Sequence, residues 1–249
     1  MFVALLLGAT ANAGPVTITT SDGASLSGEV WGSGQRGVLL VHDEGRSRSD
    51  WSSVAPRLAS AGLQVLAIDL RGHGASGDGP IAEADWPKLE ADVVAGVQWL
   101  TSHGVTELHV IGARLGAALA LQAAAKSQDI DDLILLSPPA AVHGVRISTA
   151  APAYGARPML VAASADDAIA AKTATWLDTT AAGHHQVLLL PDAGTGAVML
   201  NKVASLETQI LGWLGGEFDP TIAEKAKQQK SVKSEVDEIE TTGTRYEGR

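Results

Sequence analysis

At 249 residues, with 45% hydrophobic and 18% charged residues, the chain has the size and composition of one soluble globular domain with a full core, and is too short for two. A formal net charge of −10 argues against nucleic acid or an anionic membrane surface as a partner. The absence of cysteine excludes disulfides, thiolate metal sites and a cysteine nucleophile.

The first residues, 1–13, form an apolar run closed by Ala11-Asn12-Ala13, which reads as a truncated secretory signal peptide without its positively charged start. The expected compartment is therefore the periplasm or the outside of the cell, with the cytoplasm as the alternative. This run is too short to span a bilayer, and no later one reaches the length needed. Val16–Thr20 and Leu26–Trp31 alternate on either side of Asp22-Gly23 and predict a β-hairpin. Gly37–His42 and Gln64–Asp69 are continuous apolar runs, as in strands buried on both faces. Between them, Asp50 is expected to cap a helix presenting Trp51, Val54, Leu58 and Ala61. Leu89, Val93, Val97 and Leu100 repeat at helical spacing from about Trp86 to Leu100.

Next, an apolar strand from Leu108 runs into Gly112-Ala113-Arg114-Leu115-Gly116, and an Ala/Leu-rich helix starts at once. A strand, a turn flanked by small residues and a helix together imply a sharp, strained turn with its central side chain projecting over the sheet edge. Asp132–Ser137 and Met159–Ala163 read as strands, 167–181 as a helix and His185–Leu190 as a further strand. A last helix carries Met199, Val203, Leu206, Ile210 and Trp213. This alternation predicts an α/β fold, a mostly parallel central sheet with helices on both faces. The link from Pro138 to Pro158 leaves no room for a lid domain. Past Gly216 the composition shifts to Glu, Lys, Gln, Ser and Thr, so the folded domain is expected over 14–216 and a charged, disordered tail over 217–249.

Four segments within about 16–215 resemble the α/β-hydrolase superfamily, and the whole is similar to small lidless serine esterases and dienelactone-hydrolase-type enzymes. In the first, His42-Asp43-Glu44-Gly45, the resemblance implies a His-Gly-x-Gly loop that lends a backbone N–H to an oxyanion hole. Asp43 and Glu44 stand there in place of small residues. In the second, Asp69–Gly77 matches an Asp-x-Arg-Gly-x-Gly-x-Ser loop whose work is structural, and His73 belongs to that pattern. The third is the elbow. There the resemblance implies Gly-x-Ser-x-Gly, with Gly112, Leu115 and Gly116 kept around a nucleophile position held by Arg114. A guanidinium is permanently protonated and has no lone pair, so Arg114 cannot attack an ester. The fourth places an acid at Asp167, with Asp166 as second choice, and Thr195 where a Gly-His-Gly loop delivers the base.

None of the seven histidines (His42, His73, His103, His109, His143, His184, His185) follows the last strand. Nucleophile and base are both substituted, and only Asp167 remains. The reading is a pseudo-hydrolase acting in binding or interaction, with no cofactor and no metal; His184, His185 and Asp192 lack ligand spacing. Arg114 is expected to pair with Asp167 across the vacated histidine position, or else to attract a small anionic ligand. The partner would be such a ligand or a protein. The alternative is an active carboxylic-ester hydrolase with a displaced nucleophile, Ser137 or Ser164. Trp51, Trp99, Trp176 and Trp213 are expected in the core, and Arg46-Ser47-Arg48 in a solvated loop.

Overall fold

A computed structural model describes residues 13–77 and 81–216. The leader-like run at 1–12 and the tail at 217–249 lie outside the described residues. The alternating segments form the expected hairpin, β1 (Gly14–Thr19) against β2 (Ser25–Trp31), antiparallel from Gly14–Val30 to Thr19–Ser25. The apolar runs become β3 (Arg36–Val41), β4 (Gln64–Ile68), β5 (Glu107–Ala113) and β6 (Asp132–Leu136). A short ribbon, β7 (Ala141–Val142) and β8 (Val145–Arg146), precedes β9 (Met159–Ser164) and β10 (His185–Leu190).

Eight strands make one sheet in the order β1-β2-β4-β3-β5-β6-β9-β10, antiparallel at the hairpin end and parallel from β4 onward. Parallel neighbours need crossovers, and helices supply them: α1 (Ala55–Ser60), α2 (Glu90–Ser102), α3 (Leu115–Lys126), α4 (Ile147–Tyr154) and α5 (Ala168–Thr180); α6 (Val198–Lys202) and α7 (Ala204–Leu214) follow the last strand of the sheet. Because strand side chains alternate, β5 sends Leu108 and Val110 into a core with α2, α3 and α4, and Ile111 and Ala113 into a second core with α1 and α7. Each fully buried leucine in these layers contributes about 2 kcal/mol.

Several expectations fail in detail. Asp50 caps nothing: Ser47 caps a 3-10 turn over Arg48–Trp51, and α1 starts only at Ala55 with a proline in its first turn. The last helix breaks at Val203, whose ψ of 90° is extended, into α6 and α7. Trp176 is 36% exposed, because α5 buries Ala170, Thr173, Ala174 and Leu177 and leaves Trp176 beside that stripe. The Pro138–Pro158 link holds no lid domain, yet it folds into the β7–β8 ribbon and α4, which lies on α3.

Candidate functional site

At the C-terminal edge of the sheet, β5 turns into α3 through Arg114, with φ 47° and ψ −107°. A non-glycine residue held there costs about 1–2 kcal/mol. The turn is over-determined by its surroundings. A Cβ on Gly112 would come within 2.4 Å of Gly116 O, and one on Gly116 within 2.3 Å of Val41 O. The Arg114 N–H donates to Leu136 O at 2.9 Å, and the Arg114 carbonyl accepts from the Ala118 N–H at 3.1 Å. The elbow conformation therefore persists around a residue that has no nucleophilic atom.

The Arg114 guanidinium bridges two carboxylates. Its Nη1 donates to Asp167 Oδ2 at 3.0 Å, the pairing expected from sequence, and its Nε lies 3.2 Å from Asp43 Oδ2. Asp167 also caps α5, its Oδ1 accepting from the Ala170 N–H at 3.0 Å. Asp43 does more than pair. Its Oδ1 accepts from the Leu115 N–H at 3.1 Å and from the Glu44 N–H at 2.8 Å. These donors are the residue after the elbow and the loop after β3, the two sources of an oxyanion hole in this arrangement. A carboxylate of the chain itself thus occupies the donor pair. Burial pushes the Asp43 carboxyl above its usual pKa, against the pull of the two N–H groups and Arg114.

Thr195 is exposed on the loop after β10 and, with Asp167, Asp192, Ser164 and Lys202, lines a cavity of about 360 Å³. The loop packs on Arg114: a Cβ at Gly196 would stand 3.5 Å from Arg114 Cγ. Ser137 holds this loop from below. Fully buried at φ 50°, its Oγ accepts from the Gly196 N–H at 2.9 Å and donates to Met199 Sδ at 3.2 Å. Ser164 Oγ donates to Asp166 Oδ2 and accepts from the Ala193 N–H, both at 3.1 Å. Among the described residues these hydroxyls bond to loop groups and to Met199 of α6, and neither bonds to a histidine.

The other histidines take structural places. His42 is buried, its Nε2 accepting from the Leu70 N–H at 3.0 Å and its Nδ1 donating to Asp43 O at 2.6 Å; burial pushes its pKa down to about 4. His73 bonds to the Arg71 carbonyl at 3.0 Å within its loop. His184 and His185 enter β10 at the far end. Sequence reasoning missed His143, which the β7–β8 turn brings to the site margin. Its ring stacks on Trp86 at 3.9 Å, and its Nε2 lies 2.8 Å from Glu44 Oε2. His143 and Gly144 both take positive φ at the turn of the ribbon, and His-Gly is not one of the pairs that announce such a turn in a sequence. Arg48 also departs from expectation. It is half-buried and pairs with fully buried Asp69. Among the described residues no group of three histidine or carboxylate side chains is placed to hold a metal, and no helix is long and apolar enough to cross a membrane.

The sequence matches the α/β hydrolase fold family over residues 38–234. It is 32% identical over 132 residues to N-formylmaleamate deformylase of Pseudomonas putida, a stretch covering 51% of this chain and 47% of that enzyme. The chain thus spans about half the length of this curated relative. In three dimensions it resembles dienelactone hydrolase from Anabaena variabilis, with a TM-score of 0.69, 18% identity and coverage of 85% of this chain and 100% of that one. An esterase of Pyrococcus furiosus gives a TM-score of 0.68 at 18% identity, covering 82% and 89%. At that identity the structural likenesses speak to fold alone. The family match over most of the chain, with the strand order and the glycine-bound elbow turn, shows that this protein belongs to the α/β-hydrolase fold family.

Proposed function

We propose that this chain is a pseudo-hydrolase, a hydrolase scaffold that has given up acyl transfer and serves in binding or interaction. The observation that carries this reading is Asp43 Oδ1 on the Leu115 and Glu44 N–H groups, with Arg114 bridging Asp43 and Asp167. Hydrolases stripped of nucleophile and base keep a residual rate of about 10³–10⁴ over water only through an open oxyanion hole and substrate binding. Here a carboxylate sits in that hole, and an ester carbonyl entering it would meet negative charge rather than free donors. The deformylase activity named for the Pseudomonas putida relative has no nucleophile to run on at Arg114. A ligand of this site would be a small carboxylate or phosphate able to replace Asp43 on Arg114 and the two N–H groups. The apolar run closed by Ala11-Asn12-Ala13 supports a periplasmic or secreted setting.

The competing reading, a displaced nucleophile at Ser137 or Ser164, has in its favour the Ser164–Asp166 hydrogen bond. The full chain is to be treated with a serine-reactive fluorophosphonate and the adduct mapped by mass spectrometry. The pseudo-hydrolase reading expects no labelled serine. An adduct on either Ser137 or Ser164 would transfer the chemistry there.

A further inference from the structure

Glu44 is held at two ends. Its N–H donates to Asp43 Oδ1 at 2.8 Å, so it is one of the two donors that Asp43 covers. Its Oε2 lies 2.8 Å from His143 Nε2, and since a carboxylate can only accept, the imidazole donates. The place of the His143 ring therefore bears on the place of the Glu44 N–H. The Glu44 side chain is 45% exposed, and released to solvent it would regain its rotamer freedom. Gly45, next in the chain, has φ 67° and open space around its Cβ position, which gives the loop a point at which to swing.

The ribbon is built to present that ring. Val145 and Ile147 root it in the core shared with α3, while at its tip a Cβ on Gly144 would meet nothing. The His143 ring lies flat on Trp86, with 3.9 Å between centroids and 6° between planes, and Trp86 is 8% exposed in the 3-10 turn Glu83–Leu89. Trp86 also meets the His73 ring edge-on at 6.2 Å, and His73 lies 5.2 Å from His42, whose Nδ1 donates to the Asp43 carbonyl. The contacts close a ring, from Asp43 through Glu44, His143, Trp86, His73 and His42 back to Asp43. His143 takes φ 44° to complete it, where Asn, Asp or Gly would suit the turn better. A histidine at that position serves its side-chain contacts rather than the turn.

We propose that the β7–β8 ribbon is a latch on the oxyanion loop: His143, a positioning residue, fixes Glu44, and Glu44 keeps Asp43 on the Leu115 and Glu44 N–H groups. Opening this donor pair to an incoming anion takes the ribbon off Glu44. What the open pair would receive rests on the pseudo-hydrolase reading; the latch itself is tested at the two amides without any ligand.

The test is amide hydrogen exchange of the full chain by NMR at neutral pH, followed at Leu115 and Glu44. His143→Asn gives the turn an Asn-Gly pair, which it prefers, so the ribbon and the melting temperature should hold, yet the shorter side chain reaches neither Glu44 nor Trp86. Both amides should exchange about fivefold faster, as for the loss of one hydrogen bond. Glu44→Ala should do the same at Leu115, and the double variant should add little, because the two residues act as one unit. Glu44→Gln keeps an acceptor for His143 and should stay within about twofold of the natural chain. His103→Asn, which breaks a similar stack on Trp99 at the end of α2, should change neither amide. Unchanged exchange at Leu115 in His143→Asn would overturn the proposal. So would faster exchange spread over the whole ribbon and α3, which would make His143 a stabiliser of the turn alone. A labelled serine strikes the pseudo-hydrolase reading instead and does not alter these rates.

Discussion

Two arginines in this molecule each bridge two aspartates, and their surroundings make opposite use of the pairing. Arg71, in the loop after β4, reaches Asp22 of the hairpin turn at 2.7 Å and fully buried Asp92 of α2 at 2.6 Å. It joins three segments that carry no chemistry, and its hydrogen bonds hold the Asp22 carboxyl well below the usual carboxylate range. Arg114 reaches Asp43 and Asp167 at similar distances, yet its side chain is 39% exposed and its backbone is strained. Burial raises the Asp43 carboxyl beside it, as it raises Asp92 beside Arg71, so what sets the two networks apart is the exposure of Arg114 and the strain of its turn. The first network is scaffolding. The second is a charge arrangement built around a strained, half-exposed turn.

The largest expected effect tests whether that turn is a fixed mould. Gly116→Ala forces a Cβ against the Val41 carbonyl, which backbone cannot easily yield, and should cost about 3 kcal/mol or more in chemical denaturation. A loss under about 1 kcal/mol, the range of tolerated core swaps, would mean that the elbow is soft. Asp92→Ala tests the scaffolding side. It strips Arg71 of a buried partner and should cost about 3 kcal/mol. A near-neutral result would make the Arg71 network ornamental.

The buried base beneath the site gives a pH signature. The His42 pKa is depressed from its ordinary 6.5 to about 4, so between those values the unfolded chain binds more protons than the folded one. Its contribution is complete above pH 6.5 and is lost as pH falls toward 4, by about 3 kcal/mol at most. His42→Gln should flatten the acid limb of the stability–pH curve, whatever its effect at neutral pH. A curve of unchanged slope would contradict the neutral buried ring.

The smallest effect separates two duties of one residue. Asp167→Ala removes both the cap of α5 and the partner of Arg114, for about 1–2 kcal/mol in sum. Asp167→Asn keeps a capping oxygen and drops the charge, so it should cost about 0.5 kcal/mol, as for a partly exposed pair. No loss in Asp167→Asn beside a clear loss in Asp167→Ala would mean that Arg114 gains nothing from Asp167.

What the sequence could show followed from steric necessity. The glycines at 112 and 116 are demanded by close backbone approach, so the elbow was legible even with arginine at its centre. The Arg114–Asp167 pair was legible too, because a charge at the sheet edge needs a partner. The role of Asp43 was not. Its place in the chain put a carboxylate near the oxyanion loop, but only the loop conformation decides whether it faces solvent or turns onto Leu115 and Glu44. His143 was hidden because the two-residue strands of its ribbon are too short for any periodicity to register. Helix α4 did carry a signal in Ile147, Ala150 and Tyr154, masked by Pro152 within it. The break at Val203 has no glycine or proline to announce it.

The most direct test of the central claim is hydrolysis of short p-nitrophenyl esters by the protein and by the variant combining Asp43→Gly, Arg114→Ser and Thr195→His. The natural chain should be indistinguishable from buffer, and the combined variant should gain measurable turnover abolished by Asp167→Ala. Turnover by the natural chain that survives Arg114→Ala and Asp167→Ala would contradict it and place the chemistry elsewhere on the scaffold.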